Sequence, residues 1–71
     1  MTAREAGLGN HMKALRGAAG LTQAQLAEAV GVTRKTINTV ENGVFTPSAV
    51  LALKIARALG KPVEDVFFLR D

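Results

Sequence analysis

The stretch from Thr22 to Gly43, TQAQLAEAVGVTRKTINTVENG, constrains the fold more than any other part of the chain. Its two halves each place inward-facing residues at helical spacing: Leu26, Ala27 and Val30 in the first, and Ile37, Val40 and Glu41 in the second. Between them Gly31 is free to adopt a positive φ, and Val32 can fill the angle between two helices. The pattern predicts a helix-turn-helix.

Threonines mark the predicted start of each helix in this motif. Thr22 and Gln25 have the spacing of a capping box, in which each side chain satisfies a backbone donor of the other residue. Thr33 is placed to cap the second helix in the same way. We therefore expect the first helix to run to about Val30 and the second to end at Gly43.

Two further helical patterns flank the motif. Asn10 is the predicted N-cap of a first helix that ends at Gly20. Thr46 as a cap, with Pro47 at the first helical position, predicts a fourth helix that ends at Gly60. The predicted inward residues are Met12, Leu15 and Ala19 in the first of these helices, and Ala49, Ala52, Ala56 and Leu59 in the second.

The two ends of the chain differ in pattern. Residues 1–8 show no period and are interpreted as a mobile lead-in, which leaves 9–71 as the folded domain. The segment VEDVFFLR, residues 63–70, predicts a short fifth helix with Val63, Val66 and Phe67 on one side. The apolar fraction of 48% relies on Ala, Leu and Val with three aromatics, which suits packed helices. We expect an all-α, five-helix fold.

Composition excludes several classes of function. A chain of 71 residues has room for one small core, and without cysteine it forms no disulfide framework or thiolate metal site, which indicates a cytoplasmic protein. No apolar run approaches the roughly 20 residues of a membrane span. His11 is the only histidine, and Glu64 and Asp65 are adjacent and therefore point apart on a helix. We predict no catalytic residue, metal, cofactor, membrane association or small-molecule ligand.

The second helix of the motif leaves a polar face outside. That face carries Arg34, Lys35, Asn38, Thr39 and Asn42, which offer hydrogen-bond donors and include no acid. Arg and Lys read guanine, Asn reads adenine, and Thr contacts thymine or donates a hydrogen bond in the major groove of DNA. The alternative is an ordinary solvated face, since the net charge of +3 is only a mild bias toward nucleic acid.

The run from Leu15 to Phe67 resembles the phage repressor and Cro type of helix-turn-helix regulators. The resemblance rests on LTQAQLA, GVTR, TINTVENG, TPS and KIARALG in this order. It implies a five-helix, lambda-repressor-like DNA-binding domain that acts as a transcriptional regulator. Members are usually homodimers on a two-fold-related operator, and most are repressors.

The resemblance also implies roles for individual residues. It assigns base reading to Arg34, Lys35, Asn38 and Thr39, and phosphate contacts to Gln23, Thr33, Thr36 and Asn42. Lys35 contacting a phosphate instead of a base is an alternative, and so is a purely capping or flanking role for Gln23 and Thr33. Arg16 and Glu41 occupy positions that often form an ion pair, the alternative being two separate solvated charges.

Two positions depart from the usual pattern of these regulators. Position 50 is commonly acidic or polar and here is Val50, and position 68 is often polar and here is Phe68. Together with Leu51 and Leu69 they are candidates for a homodimer interface. Packing of Phe68 against residues 1–8 is the competing explanation.

These observations predict a DNA-binding regulator that binds duplex DNA through residues 34–42. A helical module whose main partner is a protein, for example an antitoxin that binds its own promoter, is the second hypothesis. An enzyme is the third, and the lack of an acid-base constellation disfavours it.

Overall fold

The structure, a computed structural model, describes residues 7–70. Residues 1–6, which form most of the predicted lead-in, and residue 71 lie outside the described residues. The elements in order are β1 (Leu8–Asn10), α1 (Met12–Ala18), α2 (Gln23–Val30), α3 (Arg34–Glu41), α4 (Ala49–Leu59), α5 (Val63–Val66) and β2 (Phe67–Leu69). The five predicted helices are therefore present, and a small sheet accompanies them.

The two helices of the central motif begin as predicted. The Thr22 hydroxyl accepts a hydrogen bond from the Gln25 backbone N–H at 3.0 Å, and the Gln25 side chain accepts one from the Thr22 N–H at 2.9 Å. Thr33 caps α3 by accepting from the Thr36 N–H at 3.2 Å. Gly31 follows α2 with φ of 78°, the left-handed conformation that the sharp turn requires. Helix α3 itself ends at Glu41, two residues before the predicted Gly43.

The predicted starts of two other helices were wrong by one or two residues. His11, not Asn10, occupies the N-cap of α1, because Asn10 is the last residue of a strand. Ser48, not Thr46, caps α4, and its hydroxyl accepts from the Leu51 N–H at 3.1 Å. Serine caps somewhat better than threonine, and Pro47 then precedes the helix, where its fixed φ and missing N–H cost nothing.

Helix α4 starts later than predicted, and its buried face differs from the predicted one. Ala56 and Leu59 are buried as predicted and Ala52 is partly buried, but Ala49 is exposed. Ile55, which the alanine-based pattern omitted, is fully buried. A branched side chain near the middle of α4 fills more of the core than an alanine in its first turn.

The chain ends meet in a two-stranded antiparallel sheet that sequence analysis did not predict. Leu8 pairs with Leu69, Gly9 with Phe68, and Asn10 with Phe67. The predicted fifth helix over 63–70 therefore stops at Val66, because its last residues pair with β1. Leu8 belongs to this sheet and not to a lead-in.

A single apolar core joins the helices and β2. Its buried members are Met12, Leu26, Ala27, Val30, Ile37, Val40, Ile55, Ala56, Leu59, Val66 and Phe67. Val32 packs against this core from the turn of the motif, as predicted. With Ile37 and Val40 inward, the opposite side of α3 faces solvent. No helix within residues 7–70 has the length and apolar content needed to cross a membrane.

Candidate nucleic-acid interface

The outward side of α3 carries the four residues expected to read bases. Arg34, Lys35 and Asn38 are exposed, and Thr39 is half-buried. The Thr39 hydroxyl donates to the Thr36 carbonyl at 2.9 Å, so it offers an oxygen acceptor and a methyl group to a ligand. The structure thus brings two cations, one amide and one small amphipathic side chain onto one helix face.

The residues expected to contact phosphates lie along the edges of the motif. Thr33 is exposed at the start of α3, and its hydroxyl lies 3.1 Å from that of the half-buried Thr36. Asn42 is exposed at the other end of α3, where it is the C-cap. Gln23 is the first residue of α2, and the first backbone N–H groups of a helix have no partner inside it. These positions frame α3 on both sides.

Arg16 and Glu41 form the ion pair that the resemblance implied. Arg16 Nε lies 2.7 Å from Glu41 Oε2, and Arg16 Nη2 lies 3.3 Å from Oε1. The side chains are 14% and 4% exposed, so the pair is largely removed from water. The hydrogen bond to Glu41 raises the pKa of Arg16, against a smaller opposing effect of burial. The pair keeps the guanidinium charged and joins α1 to the end of α3.

Gln23 has a contact that sequence analysis missed. Its Nε2 lies 3.1 Å from Asn38 Oδ1 and 3.1 Å from Glu41 Oε1. Asn42 Nδ2 also donates to Asn38 Oδ1 at 3.3 Å. The ion pair is therefore connected by hydrogen bonds to a predicted base-reading side chain, and no local pattern in the sequence signals this connection.

Asn10 ties the sheet to α3. Its side-chain nitrogen donates to the Val40 carbonyl at 3.0 Å and lies 3.5 Å from the Glu41 carbonyl, while its oxygen accepts from the Met12 N–H at 3.0 Å. The sequence predicted only a cap here. The partners lie 30 and 31 residues away, which is why spacing alone could not identify them.

An exposed apolar segment borders the same face. Val44 and Phe45 follow α3 and line a shallow depression with Lys35, Thr36 and Thr39. The sequence signal for this segment is a pair of consecutive apolar residues within a predicted loop. Their position makes them neighbours of the predicted base-reading residues.

The candidate dimer-interface residues differ in how far they are exposed to solvent. Val50 is 63%, Phe68 42% and Leu69 75% exposed. Leu51 is half-buried and packs against the core, so only part of it faces outward. Phe68 packs over Gly9 and stacks on His11 with ring centroids 4.8 Å apart. Both residues follow the 1–8 segment, against which the competing explanation placed Phe68.

Comparison with known proteins agrees with this geometry. A helix-turn-helix family model matches residues 12–66. The HTH-type transcriptional regulator YgzD of Bacillus subtilis is 47% identical over 62 residues, which cover 87% of this chain and 94% of YgzD. An HTH-type transcriptional regulator of Methanothermobacter thermautotrophicus is 57% identical over 53 residues, covering 73% of this chain and 77% of the relative.

A solved structure supports the same conclusion. The restriction-modification controller protein C.AhdI from Aeromonas hydrophila superposes with a TM-score of 0.72 and 37% identity, over 76% of this chain and 78% of that chain. Fold and family comparisons together define a non-enzymatic transcriptional regulator with a helix-turn-helix DNA-binding fold. The chain belongs to the helix-turn-helix family, which confirms the resemblance found in its sequence.

Proposed function

We propose that the protein binds a specific duplex DNA sequence as a homodimer and regulates transcription from a two-fold-related operator. In this proposal α3 enters the major groove, and Arg34, Lys35, Asn38 and Thr39 contact base edges. One observation carries it: the solvent face of α3 presents donors without a free acid, because its only acid, Glu41, is paired with Arg16. A groove about 12 Å wide admits one such helix.

Phosphate contacts on both sides of α3 would fix its depth in the groove. The free N–H groups at the start of α2 and α3, next to Gln23 and Thr33, favour an anion. Thr36 and Asn42 would supply further contacts to the phosphates that border the groove. Lys35 is the one base-reading candidate whose flexible ammonium can equally reach a phosphate.

Dimer formation would place two copies of α3 about one turn of DNA apart. The exposed apolar residues Phe68, Leu69 and Val50, with the outer part of Leu51, are the proposed interface. A dimer that occupies an operator would repress by excluding polymerase. The protein would act in the cytoplasm, because the duplex DNA that it would bind lies there.

Selection from random duplex DNA tests this function. We expect the purified protein to enrich one palindromic site, and Arg34→Ala and Lys35→Ala to lose that enrichment. Lys61→Ala is the charge-matched control, because Lys61 is exposed after α4 and carries no proposed DNA contact. Failure of the wild-type protein to enrich any sequence would reject the proposal.

A further inference from the structure

We propose that Asn38 presents its amide nitrogen outward and therefore reads a hydrogen-bond acceptor on a base, and that the Arg16–Glu41 ion pair imposes this direction through Gln23. The inference rests on the proposed function and adds to it the chemical class of base edge that Asn38 recognises. It comes from a continuous hydrogen-bond chain that begins in the largely buried ion pair and ends on the exposed face of α3.

The direction of the chain starts at Glu41. An ionised carboxylate only accepts hydrogen bonds, and Arg16 already donates to both of its oxygens. The Gln23 atom 3.1 Å from Glu41 Oε1 must therefore be the amide nitrogen. A flipped Gln23 amide would place two oxygens against each other in a site that is nearly closed to water, at a high electrostatic cost.

Gln23 passes this direction to Asn38. A side-chain amide nitrogen has two hydrogens, and the second one of Gln23 points to Asn38, where the facing atom must then be Oδ1, 3.1 Å away. Asn42 Nδ2 donates to the same oxygen at 3.3 Å. Two donors thus occupy both lone pairs of Asn38 Oδ1, while Nδ2 makes no hydrogen bond to any of residues 7–70.

The consequence concerns which base edge Asn38 can read. A free asparagine recognises adenine with two bonds, accepting from N6 and donating to N7. With its oxygen already engaged, Asn38 offers donors alone. Its partners are N7 and O6 of guanine, O4 of thymine, or N7 of adenine, and the amino groups of cytosine and adenine are excluded.

The same chain redefines Gln23. Both hydrogens of its amide are engaged inside the protein, so its side chain has no donor left for a phosphate. Any phosphate contact at this position would use the backbone N–H of the first turn of α2. Gln23 is therefore a positioning residue for the recognition amide.

The first test uses the free protein. Hydrogen exchange of side-chain amides, followed by NMR on the 15N-labelled chain, should show slower exchange for Gln23 Nε2 than for Asn38 Nδ2. Replacing Gln23 with leucine should leave the fold intact and remove the constraint on Asn38. Equally fast exchange at Gln23 and Asn38 in the wild-type protein would overturn the inferred direction.

The second test uses DNA selected by the wild-type protein. The base-pair position at which the Asn38→Ala variant loses the base preference of the wild type is assigned to Asn38. Base analogues are then placed at that position. Removing the acceptor should weaken binding about tenfold, and no loss would overturn the inference. The analogues are 7-deazaadenine, a thymine analogue that lacks O4, and for guanine both 7-deazaguanine, which lacks N7, and 2-aminopurine, which lacks O6. Replacing adenine by purine, which lacks only the N6 amino group, should leave affinity unchanged, whereas an equal loss would overturn the inference.

Two variants separate the effect of the Asn38 amide direction from the effect of side-chain shape. Asn38→Asp is isosteric, still accepts from Gln23 and Asn42, and presents an acceptor outward, so its selected base should change to cytosine or to adenine read through N6. Gln23→Leu should let the wild-type Asn38 use the adenine N6 contact. If the wild-type protein selects no site, the proposed function fails, and the exchange measurement still decides the direction of the chain.

Discussion

Arg16 Nε and Glu41 Oε2 lie 2.7 Å apart, although 25 residues separate them in the chain. Arg16 Nη1 also donates to the Leu21 carbonyl at 2.9 Å, just before α2 begins. One guanidinium therefore connects α1, the start of α2 and the end of α3. This connection orients the helix that carries the proposed base-reading residues.

Arg16→Met should strongly destabilise the protein. It leaves the Glu41 carboxylate, only 4% exposed, without its cation, which costs about 3–5 kcal/mol in comparable buried pairs. Urea unfolding measures the change. The double variant Arg16→Met with Glu41→Leu should recover most of the loss, since no charge then remains buried. A double variant as unstable as the single one would contradict this account.

The contribution of Arg16 should not depend on pH near neutrality. Its pKa is raised in the folded state, so the stabilisation is complete below the unfolded-state pKa and is lost only as pH rises through the folded value. The difference in unfolding free energy between wild type and Arg16→Met should stay constant from about pH 7 to 10. A steady decline of that difference across this range would show that the guanidinium loses its charge earlier.

Asn10 should contribute to folding stability more through its amide donor than through its amide acceptor. Asn10→Ala removes the contacts to Met12 and to α3, and should cost about 1–3 kcal/mol in denaturant unfolding. Asn10→Asp keeps the acceptor for the Met12 N–H but sets an oxygen against the Val40 carbonyl. It should therefore be less stable than Asn10→Ala, and the opposite order would show that the link to α3 is unimportant.

A side chain at residue 9 should displace the ring of Phe68, because that ring occupies the space beside Gly9. A Cβ at residue 9 would overlap with Cε1 and Cζ of Phe68. Gly9→Ala should cost about 1–3 kcal/mol, and Phe68→Leu in the same chain should restore part of it. Gly17→Ala is the matched control, since nothing lies within 4 Å of its Cβ. The control should stabilise α1 by about 0.5–1 kcal/mol.

Charge introduced into the proposed dimer interface should separate the protomers. We expect sedimentation to show a dimer for the wild type and a monomer for Leu69→Glu, because Leu69 is 75% exposed and its removal costs little folding stability. Phe68→Glu should act similarly, with circular dichroism to check folding. Ala24→Glu, at an exposed apolar position on α2 outside the proposed interface, is the control and should remain dimeric. A monomeric wild type at high concentration would reject the interface.

Salt should weaken DNA binding steeply. If each protomer makes about five phosphate contacts, log affinity against log salt should have a slope near −9 for the dimer. Lys35→Ala should reduce the magnitude of that slope, while Asn38→Ala should leave it almost unchanged, because only the loss of a cation changes the number of counterions released from the DNA. A slope near zero would contradict the proposed mode of binding.

The sequence by itself determined the parts of this fold that depend on neighbouring residues. The capping box of Thr22 and Gln25, the cap at Thr33 and the left-handed Gly31 involve groups at most a few positions apart, so spacing and residue type were sufficient. The inward and outward sides of α3 followed from helical periodicity in the same way.

Tertiary structure decided the rest, because the partners are distant in the chain. The pairing of Gly9 with Phe68 turned a predicted helix end into a strand, and Asn10 forms a link to α3 in addition to its hydrogen bond with the first N–H of α1. The bond from Gln23 to Asn38 spans 15 residues and depends on how α2 and α3 cross. Periodicity predicts which side of a helix is exposed, but the direction of a side-chain amide is set only by the groups that packing places around it.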